Sequence, residues 1–220
     1  MNQLWVFGDS FTAGNGCLAN EEYPLKYKLA SDHLIWPEIL AKNLKLKLIN
    51  RGMGLYSNDK ILDTVMEDYF TIAEGDIIVI GKTFSSRFDI PNKNRQTLMT
   101  ISPINLDQKS LSYFNAGYKE QEVDYLWQMV ELMDDPLLRR RQCFRFDFLK
   151  FLLLDHIKVK KCVIWDVDTT WKNFETIESA TKGGVVDSHW SYQGHKDFAE
   201  YITEQIEKEK TIAKPVKKLI

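Results

Sequence analysis

The sequence predicts an α/β fold built on a parallel β-sheet, and two kinds of segment support this prediction. Short apolar runs rich in β-favouring residues occur at Leu4–Phe7, Asp76–Gly81 and Lys161–Asp166. The second run is continuously apolar, which is typical of a parallel strand that is covered on both faces. Between the first two runs, Leu34–Leu44 has apolar residues at helical spacing. A chain of 220 residues can bury one sizeable core, so we expect a single domain.

The composition excludes several classes of partner. Hydrophobic residues make up 44% of the chain and charged residues 27%, which is ordinary for a globular enzyme. Lys and Arg number 29 against 31 Asp and Glu, so the net charge of −2 shows no electrostatic signature of nucleic-acid or acidic-membrane binding. No apolar run is long enough to cross a bilayer. We therefore expect a small-molecule partner, with no nucleic acid and no membrane.

The start of the chain and its cysteines predict a cytoplasmic location. The motif Gly8-Asp9-Ser10 lies so close to Met1 that no room is left for a secretory signal. Cys17, Cys143 and Cys162 are an odd number without disulfide-like or metal-like spacing, which suits a reducing compartment. A phage or virion protein would have the same features. The oligomeric state is left open.

The first strand ends at a candidate nucleophile. Leu4–Phe7 runs into Gly8-Asp9-Ser10, which places Ser10 just past the carboxyl end of a strand, where open α/β sheets bind their ligands. The alternative is structural, because Asp and Ser also favour turns and helix caps. Asp9 is expected to form the turn, with its carboxylate accepting local backbone hydrogen bonds.

The elements that follow are predicted to place a glycine turn at the same edge of the sheet. Leu34–Leu44 is predicted to be a packing helix and Leu46–Asn50 the second strand. Gly52 and Gly54 follow that strand and allow a tight turn, whose backbone N–H groups can hold a developing oxyanion. A helix is then expected over Asn58–Tyr69.

The middle of the chain is polar and rich in turn residues over about residues 85–118. This segment is expected to be a lid or a specificity wall, and the alternative is a solvated insertion. Two helices follow over Glu120–Met133 and Leu137–Ile157, with Arg139–Arg141 on an exposed face. After Ser191, a terminal helix is expected to run to about residue 210, and residues 211–220 form a frayed tail.

A serine hydroxyl is a weak nucleophile until a base removes its proton, and histidine suits that task near neutral pH. Of the four histidines, His189 is the one in a loop ahead of the terminal helix and next to an acid, Asp187. Residues two apart point to the same side of an extended segment, so contact between their side chains needs a bend. Asp166, Asp168 or a main-chain carbonyl therefore remain alternatives for orienting the imidazole.

Two far-apart blocks carry a family resemblance. Gly8-Asp9-Ser10-Phe11-Thr12, together with Asp187-Ser-His189-Trp-Ser191-Tyr-Gln-Gly194-His195, resembles the SGNH hydrolases, also called the GDSL esterase/lipase family. The resemblance extends to Trp36–Leu44, 50–54 and Asp76–Gly81. It implies one domain over residues 1–210 with a three-layer α/β/α sandwich, in which a flavodoxin-like parallel sheet has about five strands.

The resemblance also implies an activity. A member of this family is a serine esterase that cleaves a carboxylic ester through an acyl-enzyme, here with Ser10 as nucleophile, His189 as general base and Asp187 as the third member. Short acyl groups, such as acetyl on a sugar, suit the polar residues expected at the rim of the site, so the expected partner is a small-molecule or glycan ester. Two alternatives are an O-acyltransferase that uses the same pair and a catalytically impaired relative that binds carbohydrate. No cofactor or metal is expected, since no residues have ligand spacing.

The family stabilises its oxyanion with three donors. Two are implied to be the N–H groups of Ser10 and Gly54, with the N–H of Leu55 as a competitor because the glycine spacing is one residue short. The third is normally an asparagine, and here Thr83 takes its place. Its shorter hydroxyl leaves three further substitutes open: Ser85, Ser86 and Arg87.

Overall fold

The computed structural model describes residues 2–14, 34–94, 97–101, 117–133, 136–177 and 188–208. The elements occur in the order β1 (Gln3–Phe7), α1 (Ser10–Ala13), α2 (Trp36–Leu44), β2 (Lys47–Asn50), α3 (Asn58–Asp68), β3 (Ile77–Lys82), β4 (Phe88–Asn92), β5 (Thr97–Ile101), α4 (Glu120–Met133), α5 (Pro136–Leu152), β6 (Lys161–Asp166), α6 (Val167–Thr170) and α7 (Tyr192–Lys208). A π-helical turn, Leu153–Ile157, continues α5, and a 3₁₀ turn, Trp171–Asn173, follows α6.

The main sheet is parallel throughout and has the strand order β2-β1-β3-β6. Leu4 of β1 pairs with Ile77 of β3, and Val79 of β3 pairs with Val163 of β6. The predicted α/β class with a parallel sheet is thus confirmed. The described residues contain four strands of this sheet, where about five were expected.

Helices cover both faces of the sheet. Leu4 and Val6 of β1 lie in one apolar cluster together with α2 and α7, whereas Trp5 and Phe7 lie in a second cluster together with α3 and α5. Successive side chains of a strand point to opposite faces, so each strand contributes to both clusters. The result is a three-layer α/β/α arrangement.

The segment expected to be a long loop contains a β-hairpin. β4 and β5 pair antiparallel, and Phe88, Ile90 and Ile101 of this hairpin pack against Val123 of α4 in a small separate cluster. The polar composition hid the alternation of apolar residues in two short strands. The rest of the predicted lid, residues 102–116, lies outside the described residues.

The helix predicted over Leu137–Ile157 is less regular than expected. Its last five residues are π-helical, and it ends at Lys158, whose backbone adopts a left-handed conformation with φ of 63°. In the part of the chain that is described, no helix has both the length and the apolar character needed to span a membrane.

Candidate active site

The Gly8-Asp9-Ser10 segment forms a tight turn at the carboxyl end of β1. Asp9 is the N-cap of α1, and its Oδ1 accepts a hydrogen bond from the Phe11 N–H at 3.1 Å. Ser10 is the first residue of this short helix and is largely buried. The turn therefore holds the serine at the edge of the sheet where β1 and β3 end, as the sequence predicts.

Asp9 also has two partners far away in the sequence. Its Oδ2 accepts a hydrogen bond from Thr83 Oγ1 at 2.6 Å and one from Arg87 Nη1 at 2.9 Å. The Asp9 side chain is 1% exposed and that of Arg87 11%, so this is a buried ion pair. The expected local backbone bond is present, and the ion pair is a feature that the sequence did not indicate.

The ionisation of Asp9 depends on these neighbours. Burial raises the pKa of the Asp9 carboxyl, because a charge is poorly solvated inside the protein. The positive charge of Arg87 opposes this effect most, followed by the hydrogen bonds from Thr83 and Phe11 and the charge of His189. Arg87 is therefore the main group that favours a carboxylate next to Ser10.

Thr83 lies just beyond β3 and is held from two sides. Its N–H donates to Asn58 Oδ1 at 2.9 Å, and Asn58 Nδ2 donates back to the Thr83 carbonyl at 3.1 Å. Its hydroxyl donates to Asp9 and accepts a hydrogen bond from Arg87 at 2.9 Å. The buried Asn58 was predicted only as the start of a helix. The sequence contains no local signal for its reciprocal contact with a residue 25 positions away.

The loop after β2 packs tightly against the serine turn. A Cβ placed on Gly52 would lie 2.6 Å from Thr12 Cγ2 and 2.7 Å from the backbone N of Ala13, so glycine is required there. Asn50 Nδ2 donates to the Thr12 carbonyl at 3.2 Å, and its Oδ1 accepts from the Gly52 N–H at 2.9 Å. Gly54 lies two residues further on, and Leu55 has a left-handed backbone with φ of 64°.

His189 lies beside the serine turn. Its ring centroid is 5.0 Å from that of Phe11, which directly follows Ser10. Its carbonyl accepts a hydrogen bond from the Ile177 N–H at 2.8 Å, and Thr176 and Trp190 form an antiparallel bridge. These contacts attach the loop in front of α7 to the segment after α6, which fixes the backbone at His189.

The start of α7 secures the same loop. Ser191 caps the helix, accepting a hydrogen bond from the Gly194 N–H at 3.1 Å, and its hydroxyl donates to the Glu175 carboxylate. His195 is buried, and its Nδ1 accepts from the Trp36 N–H at 3.3 Å. Burial, followed by the charge of His189, lowers the pKa of His195 to about 3. His195 is therefore a neutral packing residue.

The candidate acids differ in what they contact. Asp187 lies outside the described residues, so its role stays a prediction. Asp166 forms an ion pair with Lys82 at 2.6 Å, and Asp168 accepts hydrogen bonds from the N–H and hydroxyl of Ser85, both at 3.2 Å. Burial favours a neutral Lys82 amine, but the hydrogen bond and charge of Asp166, together with those of Cys143, outweigh it and raise the pKa of Lys82.

Two cavities adjoin the candidate oxyanion donors. One, of about 130 Å³, is lined by Thr83, Lys82, Asp166 and other polar residues, which come from the ends of β3 and β6 and from α3 and α5. The other, of about 500 Å³, lies between the Gly54 loop and the β4–β5 hairpin, with Leu55 and Leu98 in its lining. In the described part of the chain, no group of three or more His, Cys, Asp or Glu residues is arranged to hold a metal ion.

Comparisons with known proteins find similar solved structures. One is a member of the lipolytic protein G-D-S-L family from Veillonella parvula DSM 2008, which has 14% sequence identity and a TM-score of 0.39, covering 94% of this chain and 100% of that chain. Another is the native aryl esterase of M. smegmatis, with 12% identity and a TM-score of 0.41, covering 94% of this chain and 99% of that one. No protein-family model and no curated protein matches the chain.

Proposed function

We propose that this protein is an ester hydrolase of the SGNH type, with Ser10 as nucleophile and His189 as general base. The observation that carries the proposal is the contact between the His189 ring and Phe11, because residues 178 positions apart in the two motif blocks meet beside the serine turn. The Gly-Asp-Ser turn lies at the edge of the sheet where α/β proteins bind their ligands.

In the proposed reaction, Ser10 Oγ attacks the carbonyl carbon of the ester while its proton passes to His189. The carbonyl π-bond opens to an oxyanion, which collapses to an acyl-enzyme and expels the alcohol, and the alcohol takes the proton from His189. Water then repeats these steps and releases the acid. Asp187 is proposed to orient the imidazole, with Asp166 and Asp168 as weaker candidates because each already holds another partner.

The oxyanion is proposed to bind the N–H groups of Ser10 and Gly54. Thr83 is the third candidate, and its hydroxyl must first give up its hydrogen bond to Asp9. Of the three substitutes that the sequence left open, Arg87 has the best support, because its Nη1 touches both Asp9 and Thr83, whereas Ser85 is bonded to Asp168. A guanidinium has five N–H donors, so Arg87 retains donors beyond these two contacts.

The substrate is proposed to be a short-acyl ester, with an O-acetylated sugar as one example. A second candidate function is carbohydrate binding without catalysis. It is favoured by the hydrogen bond that occupies the Thr83 hydroxyl, because the third oxyanion donor is then already engaged. Losing one oxyanion donor costs about 2.7 to 4 kcal/mol of transition-state stabilisation. Transfer of the acyl group to an alcohol would use the same residues.

Hydrolysis of p-nitrophenyl acetate tests the proposal. We expect Ser10→Ala and His189→Ala to lower kcat/KM by at least about a thousand-fold, because nucleophile and base act as a unit. His156→Ala is the matched control, since His156 is exposed at the end of the π-helical turn, and it should retain wild-type activity.

A fluorophosphonate probe separates the candidate functions. Covalent labelling of Ser10 in the wild type, but not in His189→Ala, supports the hydrolase. Equal hydrolysis rates in all variants would disprove it, and glycan binding without any labelling would favour the binding protein. Acylated product on an added acceptor sugar would indicate transfer.

A further inference from the structure

The outer surface of α5 carries large apolar side chains that lie open to solvent. Leu137, Phe144, Phe148 and Phe151 are each between 53% and 69% exposed. These residues follow one another at intervals of seven, four and three positions. With 3.6 residues per turn, they fall within an arc of about 60° and form a stripe about 21 Å long. We call this stripe the outer face of α5.

This stripe is separate from the face that holds the helix in the fold. Phe146 and Leu149 are buried in the cluster between α5 and the sheet, and they point about 170° and about 130° away from the centre of the stripe. The helix therefore has two apolar faces, and the core uses one of them. Scattered exposed hydrophobic residues are normal, but a contiguous stripe of this kind marks an interaction surface.

Basic side chains border the amino-terminal half of the stripe. A groove of about 540 Å³ is lined by Leu137, Phe144, Arg140, Arg141 and Arg145. Arg145 forms an ion pair with Asp59, whereas Arg140 and Arg141 are exposed beside the apolar residues. The predicted exposure of Arg139–Arg141 is confirmed at all three positions, and the surface beside Arg140 and Arg141 is more apolar than expected.

We propose that the outer face of α5 binds an anionic lipid surface. A helix that lies in a membrane interface turns Phe or Leu side chains toward the acyl chains and holds Lys or Arg beside the headgroups. The outer face has both features, and because its opposite side packs on the sheet, the helix axis runs along the surface of the protein. The phenylalanines can thus enter a membrane together while the fold stays intact.

Charge favours lipid over a second copy of the chain as the occupant. Pairing of two copies about a two-fold axis would place the same patch against itself. A second copy would therefore bring a second set of the same arginines into the interface, whereas anionic headgroups supply the opposite charge. The overall charge of −2, from which no membrane partner was expected, averages over the whole chain and does not reveal this local basic cluster. The proposal is independent of the esterase assignment.

Vesicle co-sedimentation tests this proposal. The probes are phosphatidylcholine vesicles with and without phosphatidylglycerol, and the full chain is used throughout. We expect binding to the anionic vesicles that weakens with added salt. Each basic side chain near an anionic surface contributes about five-fold to binding, so Arg140→Gln with Arg141→Gln should lower the apparent affinity about 30-fold. Phe144→Ser with Phe148→Ser should lower it at least as much.

Phe70→Ser is the matched control, because Phe70 is 93% exposed, lies just beyond α3 and should have no effect on vesicle binding. Circular dichroism and thermal unfolding check that each variant is folded. Absence of binding to anionic vesicles, equal binding to neutral ones, or binding that the α5 variants leave unchanged would each overturn the proposal. Concentration-dependent dimerisation lost in these variants, without vesicle binding, would assign the face to self-association instead.

Discussion

Replacing Arg87 by methionine should leave the Asp9 carboxylate buried without its cationic partner. Breaking a buried ion pair from one side costs about 3 to 5 kcal/mol, because the remaining charge is neither solvated nor paired. Asp9 retains hydrogen bonds from Phe11 and Thr83, so we expect the lower end, about 3 kcal/mol. For a domain of this size, that lowers the melting temperature by about 6 to 12 °C.

The pH dependence of this loss provides an internal check. Because the folded pKa of Asp9 is raised, its contribution to stability is fully present below the unfolded value of 3.8 and is lost as pH rises through the folded pKa. Removing Arg87 raises the folded pKa further. The deficit of Arg87→Met should therefore be largest at neutral pH and should shrink in acid, where Asp9 is protonated in both proteins.

Urea unfolding of four proteins at neutral and acidic pH measures the effect. Besides the wild type and Arg87→Met, the set contains the double variant Asp9→Asn with Arg87→Met, which has no buried charge and should recover most of the lost stability. The matched control is Arg51→Met, since the Arg51–Asp68 pair has a similar length of 2.8 Å but Arg51 is 49% exposed. That variant should cost less than about 1 kcal/mol. An equal deficit at both pH values, or no recovery in the double variant, would refute the reasoning.

Two further predictions concern the start of α7. The folded pKa of His195 is depressed to about 3, so its contribution to stability is present above about pH 6.5 and is lost as pH falls toward 3. In His195→Asn, urea unfolding should therefore show a shallower fall of the unfolding free energy over that pH range. An unchanged slope would contradict the assignment of His195 as a neutral packing residue. A Cβ on Gly194 would collide with the backbone carbonyl of Glu175, so Gly194→Ala should lower the free energy of unfolding by about 1 to 3 kcal/mol. Because the collision shifts the His189 loop, the variant should also hydrolyse p-nitrophenyl acetate more slowly. Thermal unfolding and the hydrolysis assay check both effects, and a fully active, equally stable variant would show that the loop tolerates the change.

The layered fold could be predicted because its signals are local. Continuous apolar runs such as 77–80 occur where helices cover both faces of a strand, and this pattern is readable within a few residues. The hairpin of β4 and β5 was missed because its strands are short and contain Pro91 and polar residues, a composition typical of loops.

The sequence predicts the motif residues of the candidate site but not the residues that hold them in place. Gly-Asp-Ser and the His189 block are recognisable by spacing, whereas the Asp9–Arg87 pair joins residues 78 positions apart, and single side chains carry no mark of a distant partner. The same holds for Asn58 and Thr83, whose contact depends on where α3 meets the end of β3. Such pairs emerge only when the packing of the elements is known.

The close approach of Gly52 to Thr12 and Ala13 limits how the proposed substrate site can be redesigned. Gly52 meets the main chain of Thr12 and Ala13 as well as the Thr12 methyl group, so added bulk there would displace the turn that holds Ser10, the proposed nucleophile. Redesign for larger substrates should instead begin at the β4–β5 hairpin, where Leu98 is exposed and lines the cavity beside Gly54. Libraries of variants are best concentrated on that side.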